Sequence, residues 1–265
     1  MQVFDQLNRR LCLDKAPQRI ISLVPSQTEL LVDLGLADKL VGVTKFCVHP
    51  KKIRKQSAVV GGTKQVHLDK IAALNPDIIL CNKEENTPEM VKELQKIAPV
   101  HVSDVNTLPE AFELMRQYGV LFNCDLAIEE MLAAINQKQQ QLQQQVSKAP
   151  LQKVAYFIWK DPWMVAANHT FIHHILHLAG YQNVYAHKSR YPEINWEDLP
   201  QVDFIFLSSE PFPFKEKHIQ EIPENLQDKV VLVDGEFFSW YGSRLLKAMS
   251  YFINLHKEIC QINLS

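Results

Sequence analysis

The stretch DLAIEEMLAAINQKQQQLQQQV, from Asp125 to Val146, decides the fold of this chain. Ala, Leu, Met, Glu, Gln and Lys are good helix formers, and neither Gly nor Pro interrupts the run before Pro150. Its apolar residues recur at three-, four- and seven-residue steps, which places them along one side of a helix: Ile128, Met131, Leu132, Ile135, Leu142 and Val146. We therefore predict one long helix with a narrow apolar stripe.

A polar helix with such a stripe can form a coiled coil or connect two lobes of one chain. The run holds only two or three heptads, with Gln at several possible core positions, and would make a weak zipper. We therefore favour a rigid connection between two lobes. The predicted division is an N-terminal lobe at 1–123, the connecting helix at 124–149 and a C-terminal lobe at 150–265. A chain of 265 residues is long enough for two domains of ordinary size.

Composition excludes several classes of function. Lys and Arg number 28 against 30 Asp and Glu, so the charge balance does not favour a nucleic-acid or anionic-membrane partner. No apolar run approaches the roughly 18 residues of a membrane span. The N-terminus has no apolar segment typical of a secretory signal, so the sequence as it stands predicts a cytosolic protein. The cysteines form no CxxC pair and are expected to be ordinary thiols: Cys12, Cys47, Cys81, Cys124 and Cys260.

Strand and helix patterns alternate on both sides of the long helix. The N-terminal side predicts strands at 19–24, 40–44, 77–81 and 99–102 and helices at 28–34, 67–74 and 87–97, with Ser26 and Glu29 as a capping box. The C-terminal side predicts strands at 153–158, 203–207 and 230–233 and helices at 170–178 and from 242 onwards. This alternation predicts an α/β fold with a parallel sheet, flanked by helices, in each lobe.

One local pattern occurs in both halves of the chain. LDKI at 68–71 leads through Asp77 into a strand, and WEDL at 196–199 leads through Asp203 into another. This repetition fits two similar lobes.

Aromatic residues follow many of the predicted strands. In open α/β sheets ligands sit beyond the carboxyl ends of the strands, and a cleft between two lobes is the default ligand site. Aromatic loops at such a site can hold a flat or macrocyclic ligand, although about half of these residues are expected to pack inside the lobes. The candidates are Phe46, Trp159, Trp163, Tyr191, Phe237, Phe238, Trp240 and Tyr241.

Evidence for catalysis or for a resident metal is weak. His173 and His177 have the i, i+4 spacing that can bind a metal, with His174 between them, but no Glu follows the first His as in HExxH. A partly exposed helix is the favoured interpretation. His49, beside Cys47, is either solvated or a ligand to a bound metal centre. Since no nucleophile elbow or triad order is present, we predict neither an enzyme nor a cofactor.

Several motifs resemble the substrate-binding proteins of bacterial ABC importers for vitamin B12, haem and ferric siderophores, most of all the vitamin B12-binding branch. In the first half they are PQRIISL at 17–23, PSQTEL at 25–30, VGVT at 41–44 and LNPDII at 74–79. In the second half they are GYQNV at 180–184 and SRLL at 243–246. The run DQLNRR at 5–10 resembles the start of the mature domain, after removal of a signal peptide.

The resemblance implies two lobes joined by one long helix, a ligand held between them, and delivery to a membrane permease. It implies a periplasmic monomer, with the cytosol as the alternative for the chain as given. By position, Glu89 and Glu216 correspond to the glutamates that dock onto the permease. Phe46, Trp159, Phe237 and Glu236 match ligand contacts of the B12-binding proteins. Thr63 and Asn82 stand where those proteins have aromatic residues, and His49 stands where they have Tyr.

The sequence therefore predicts a carrier that holds a corrinoid and passes it unchanged to an importer. The predicted ligand-binding residues are Phe46, His49, Thr63, Asn82, Trp159, Trp163, Tyr191, Glu236, Phe237 and Trp240. One alternative is a carrier of a ferric siderophore or of haem, the latter with His49 as an axial ligand. Another is a cytosolic enzyme or metallochaperone on the same scaffold, suggested by the absent signal and the three histidines of 173–177.

Overall fold

The computed structural model describes residues 2–147 and 150–262, with side chains up to Ile259 in the last helix. The chain divides into two compact units. The first contains the chain up to Val105, Pro109–Ala133 and Tyr241–Arg244, and the second contains Asn106–Leu108, Ala134–Trp240 and the chain from Leu245. The division thus falls inside the long helix, and a short C-terminal segment belongs to the first unit. Residues 148 and 149 of the predicted connecting helix lie outside the described part.

The long helix α6 has the bounds that the sequence predicts, Asp125–Val146. Four residues of the predicted stripe are buried: Ile128, Leu132, Ile135 and Leu142. Met131 and Val146 are half-buried. Since residues of the same chain cover the stripe, it is not available as a coiled-coil seam. Near its end, a Cβ at Gly180 would lie 2.8 Å from the Val146 Cβ, and the φ of +80° at Gly180 also favours glycine.

The first unit contains a parallel sheet. Its strands are β3 (Ile20–Ser22), β4 (Leu40–Val43), β5 (Ala58–Val59), β6 (Ile78–Asn82) and β7 (Val100–Ser103), in the order β5-β4-β3-β6-β7. A hairpin of β1 (Gln2–Phe4) and β2 (Arg10–Cys12) precedes it. The buried Asp5 carboxylate accepts hydrogen bonds from the backbone N–H groups of Leu7, Arg9 and Val102, so the motif at 5–10 closes the hairpin against β7.

The helices of the first unit are α1 (Pro25–Asp33), α2 (Ile53–Gln56), α3 (Leu68–Ala73), α4 (Pro88–Leu94) and α5 (Leu108–Phe122). The strands and helices that the sequence predicts are present within a few residues of their expected bounds, whereas α5 was not predicted. The core between sheet and helices includes Ile21, Ile71, Ile79, Leu94 and Val102.

The predicted capping box at the start of α1 is wrong. The helix begins at Pro25, its N-cap is Val24, and no side chain caps it. Glu29 instead accepts hydrogen bonds from the Arg244 guanidinium, at 2.7 Å to Oε2 and 2.9 Å to Oε1, with both side chains 6% exposed. Two motifs that carry the family resemblance, PSQTEL and SRLL, are thus joined by a buried ion pair in the first unit.

The second unit has its own sheet, of β8 (Gln152–Trp159), β9 (Met164–Val165), β10 (Tyr181–Asn183), β11 (Phe204–Ser208) and β12 (Val230–Val233). Its parallel strands have the order β10-β8-β11-β12, and β9 pairs antiparallel with β8. Its other helices are α7 (Phe171–Leu178), α8 (Glu236–Ser239) and α9 (Leu245–Ile262), with 3-10 turns at Trp196–Asp198, Glu216–Glu221 and Glu224–Lys229.

The repeated pattern has the same structural role in both units. Asp77, before β6, accepts a hydrogen bond from the Arg19 N–H, which precedes the neighbouring strand β3. Asp203, before β11, accepts one from Lys153 N–H at the start of the neighbouring strand β8. The middle strands β3 and β6 of the first sheet therefore correspond to β8 and β11 of the second.

No helix in the described ranges is long and apolar enough to cross a membrane. Cys12, Cys47, Cys81 and Cys124 are free thiols, as the sequence indicates. The side chain of Cys260 lies outside the described part of the chain.

Candidate ligand-binding site

The second unit presents an aromatic surface where β8 ends. Trp159, the last residue of β8, is 40% exposed, and its ring meets the edge of Phe212, with centroids 5.6 Å apart. The Lys160 ammonium lies 5.9 Å from the Phe212 ring centroid and pairs with the Glu221 carboxylate. Trp159 is therefore held in place while much of its ring stays open to a ligand.

Trp163, four residues further on, has a structural role instead. Its ring stacks on Phe214, with centroids 5.8 Å apart, and meets the rings of Phe157 and Trp196 edge-on at 5.6 and 4.9 Å. These rings belong to the hydrophobic core of the second unit. Trp163 is half-buried in this arrangement, and its role as a ligand contact stays a prediction.

The segment after β12 carries the second group of candidates. Phe237 is half-buried, and its ring stacks on Tyr251, with centroids 4.6 Å apart. Glu236 is half-buried, and its N–H donates to Asp234 Oδ1 at 3.1 Å. Trp240 is only 7% exposed, and its indole N–H donates to the Glu210 carboxylate, which holds it inside the second unit. Its role as a ligand contact stays a prediction.

Glu210, which the sequence analysis did not single out, lies in the loop after β11. Burial raises the pKa of its carboxyl to about 7, and the negative charges of Glu236 and Asp234 act in the same direction. Hydrogen bonds from Ser239 and Trp240 oppose the rise. Three carboxyl groups therefore lie near one another at the carboxyl ends of β11 and β12.

In the first unit the exposed aromatic residue is Phe46, in the loop after β4. It is 49% exposed, and its backbone N–H donates to Thr44 Oγ at 3.3 Å. The Lys45 ammonium lies 5.0 Å from its ring centroid. A Cβ at Gly62 would lie 3.3 Å from the ring, so that glycine gives the ring its space on one side.

His49 and Thr63 flank this loop as half-buried residues. The carbonyl of Thr63 accepts a hydrogen bond from the Asn86 amide at 2.8 Å. Tyr191, in the second unit, is half-buried, with the Arg190 guanidinium 5.3 Å from its ring centroid. The structure does not change the sequence prediction for these three residues.

Asn82 is buried in a polar cluster of the first unit and is 4% exposed. Its Nδ2 donates to Ser103 Oγ at 3.1 Å and to the Tyr241 hydroxyl at 3.0 Å. Its Oδ1 accepts from the N–H groups of Glu84 and Glu85. These bonds use both ends of the amide and hold Asn82 inside the first unit, so its role as a ligand contact stays a prediction.

The three histidines of α7 do not form a metal site. Within residues 2–147 and 150–262 no three His, Cys, Asp or Glu side chains are grouped closely enough to hold a metal ion. His173 accepts a hydrogen bond from the Asn183 amide at 3.4 Å, and burial lowers its pKa, with His177 and His169 adding to the effect. The favoured interpretation of a partly exposed helix therefore fits α7.

The two glutamates predicted to dock onto a permease are both exposed. Glu89 lies in the first turn of α4, and Glu216 begins the 3-10 turn Glu216–Glu221. Each follows the loop at the carboxyl end of a strand, β6 or β11, in its own unit.

A cavity of about 360 Å³ in the second unit lies at the opposite ends of the strands, beside Gln152, Asp203 and Lys229.

A family model described as periplasmic binding protein matches residues 20–229. The chain belongs to this family. Members of the periplasmic binding protein family are substrate-binding components of ABC importers and not enzymes, which confirms the sequence prediction that the chain is not an enzyme. The two-unit α/β fold is also that of its structural neighbours.

Two relatives of this periplasmic binding protein have informative names. The chain is 26% identical over 244 residues to the vitamin B12-binding protein of Pectobacterium atrosepticum. This match covers 88% of this chain and 86% of that relative. It is 24% identical over 207 residues to the uncharacterized ABC transporter substrate-binding lipoprotein YvrC of Bacillus subtilis, covering 75% of this chain. The latter match spans 65% of the relative, just under two-thirds of its length.

Solved structures show the same fold. The periplasmic vitamin B12-binding protein of Vibrio cholerae aligns with a TM-score of 0.77 at 22% identity, covering 92% of this chain and 98% of that one. A periplasmic haem-binding protein of Pseudomonas aeruginosa aligns with a TM-score of 0.79 at 21% identity, covering 89% and 91%. Because both the B12- and the haem-binding proteins share the fold, the fold alone does not select the ligand.

Proposed function

We propose that this chain binds a corrinoid and delivers it to the permease of an ABC importer. The observation that carries the proposal is the pair of exposed aromatic side chains at the carboxyl ends of strands, Phe46 after β4 and Trp159 at the end of β8. Such side chains offer a flat macrocycle apolar contact and stacking without loss of a core residue.

Acidic side chains that follow strands in both units favour a corrinoid over haem. Glu84 and Glu85 follow β6 in the first unit, and Glu210, Asp234 and Glu236 follow β11 and β12 in the second. A corrinoid carries peripheral carboxamides, whose N–H groups can donate to carboxylates. Haem carries two propionates, and many ferric siderophores are anionic, so carboxylates would repel them.

Within this proposal the ligand contacts are Phe46, Trp159, Glu236 and Phe237. Thr63, His49 and Tyr191 remain proposed contacts. The vitamin B12-binding protein of Pectobacterium atrosepticum, similar over 88% of this chain, supports the choice of ligand class.

The proposed partner is a membrane permease, and Glu89 and Glu216 are the proposed docking residues. Both are exposed, as docking requires. Relatives are named as periplasmic proteins or as a lipoprotein, and we propose that this chain also acts outside the cytoplasmic membrane, as a monomer.

Haem is the second candidate because His49 lies in the same loop as the exposed Phe46 and could supply an axial nitrogen. The acidic residues described above count against it.

A thermal-shift panel tests the choice of ligand. The purified protein is heated alone and with cyanocobalamin, dicyanocobinamide, haemin or a ferric hydroxamate. A ligand at about 100 times its Kd adds about 2.7 kcal/mol of stability. We expect both corrinoids to raise the Tm and haemin not to do so. A rise with haemin alone would transfer the proposal to haem, and a rise with the ferric hydroxamate alone would transfer it to siderophores.

A further inference from the structure

Glu210 is held firmly in the loop after β11. Ser208 Oγ donates to the Glu210 carbonyl at 2.6 Å and accepts from the Glu210 N–H at 3.3 Å. A Cβ at Gly235 would lie 2.8 Å from Glu210 Cγ, so only glycine allows the segment after β12 to approach this closely. The carboxyl group of Glu210 therefore faces α8 at a fixed position.

Two donors at the end of α8 point at this carboxyl group. The Ser239 hydroxyl donates to Glu210 Oε1, and the Trp240 indole N–H donates to the same carboxylate. Both belong to the segment 236–240, which also carries the proposed ligand contacts Glu236 and Phe237. Glu210 thus ties the far end of that segment to the neighbouring strand.

The groups that act on Glu210 come from three elements. Asp234 and Glu236, after β12, carry like charges and disfavour its ionised form. Tyr156 of β8 and Tyr251 of α9 also lie in this region, but burial raises their pKa values well above neutral, for Tyr251 to about 12. Glu210, whose pKa is raised to about 7, therefore changes charge near neutral pH beside two acidic side chains that act on it.

We propose that Glu210 is a positioning residue for the segment 236–240, and that a change in its protonation rearranges the hydrogen bonds of this segment. The ionised carboxylate can accept from both Ser239 and Trp240. When Glu210 is protonated, its O–H can donate to Ser239 Oγ, and the single hydrogen of Ser239 then turns to the Gly235 carbonyl at 2.9 Å. The inference rests on the proposed function only in assigning Glu236 and Phe237 to the ligand.

The first test needs no ligand. The indole N–H signals of the four tryptophans are followed by proton–nitrogen NMR between about pH 5.5 and 8.5, and Trp240→Phe assigns the signal of Trp240. We expect the Trp240 signal to titrate with a midpoint near the Glu210 pKa of about 7. Glu210→Gln, whose side chain keeps one NH2 group and one carbonyl oxygen at every pH, should abolish this titration.

Asp234→Asn is the matched variant. The Asn side chain keeps an oxygen that accepts from the Glu236 N–H, but it removes a negative charge that acts on Glu210. The midpoint of the Trp240 titration should therefore move to lower pH. A Trp240 signal that does not titrate in the wild type, or that titrates equally in Glu210→Gln, would overturn the proposal.

The second test follows cyanocobalamin binding by calorimetry at about pH 6 and pH 8. Because the hydrogen bonds of the segment that carries Glu236 and Phe237 differ between the two protonation states, wild-type binding should be weaker at pH 6 than at pH 8 by roughly threefold to tenfold. Glu210→Gln should bind equally at both pH values, with the wild-type affinity of pH 6. Equal wild-type affinity at both pH values would contradict a role in ligand binding. If cyanocobalamin does not bind at any pH, the proposed function fails, and the Trp240 titration still decides the role of Glu210.

Discussion

Replacing Arg244 by Met should destabilise the first unit strongly. Arg244 is the last residue of the short segment Tyr241–Arg244 that belongs to this unit. Its guanidinium donates two hydrogen bonds, at 2.7 and 2.9 Å, to the two oxygens of Glu29 in α1. Met fills similar space but leaves the Glu29 carboxylate without this partner.

The burial of the pair sets the size of the effect. Both side chains are 6% exposed, so water cannot replace the lost partner. Breaking a buried ion pair by removing one member typically costs about 3–5 kcal/mol. At roughly 2–4 °C per kcal/mol for a chain near this size, the Tm should fall by about 6–20 °C.

The assay is thermal and urea unfolding of the wild type, Arg244→Met, Glu29→Met and the double variant. Since the double variant buries no unpaired charge, it should be more stable than either single variant, with a coupling free energy of at least about 2 kcal/mol. A loss below about 1 kcal/mol in Arg244→Met would refute the reasoning, because it would mean that the pair is solvated.

Three other substitutions test the site and its support. Trp159→Ala should weaken cyanocobalamin binding at least about tenfold in calorimetry, because aromatic anchors are frequent hot spots. Trp163→Ala, four residues further on, should lower the Tm more than Trp159→Ala does, because Trp163 contacts the rings of three aromatic residues. Equal Tm losses would contradict these placements. Glu210→Gln should stabilise the protein near pH 8 by up to about 3 kcal/mol and have little effect near pH 4.5. The reason is that a carboxyl group whose pKa is raised to about 7 makes the stability of the folded protein fall as pH rises from about 4.5 to 7. Urea unfolding that shows the larger gain in stability at the lower pH would disprove this sign. Tyr118→Phe should cost about 1–2 kcal/mol in urea unfolding, because Gln27 Oε1 loses the phenol that donates to it at 2.7 Å; an unchanged stability would show that this bond is dispensable.

The elements that could be predicted are those whose signal lies within one segment. The bounds of α6 follow from an uninterrupted run of helix formers, and the buried strands of both sheets follow from short apolar runs. Helix α5 has the same kind of signal, since its buried residues Leu114, Met115, Tyr118 and Leu121 lie at helical spacing, so the sequence could have revealed it.

The features that could not be predicted depend on residues far apart in the chain. Glu29 lies 215 positions from its partner Arg244. Because Glu29 stands three residues after Ser26, the local sequence indicates a capping box and not this ion pair. Asn82 donates a hydrogen bond to Tyr241, 159 positions away, and nothing in the sequence near Asn82 indicates this partner. Glu210 is one of many acidic residues in the sequence, and only its burial against the segment after β12 gives it a raised pKa.

The central claim, that the ligand is a corrinoid, is tested most directly by calorimetric titration of the wild-type protein with cyanocobalamin near pH 8. The account predicts saturable binding with one ligand per chain and a Kd of about 1 μM or lower, a binding free energy of about −8 kcal/mol or more favourable. The absence of a binding heat at protein concentrations of about 100 μM, together with saturable binding of haemin under the same conditions, would contradict it.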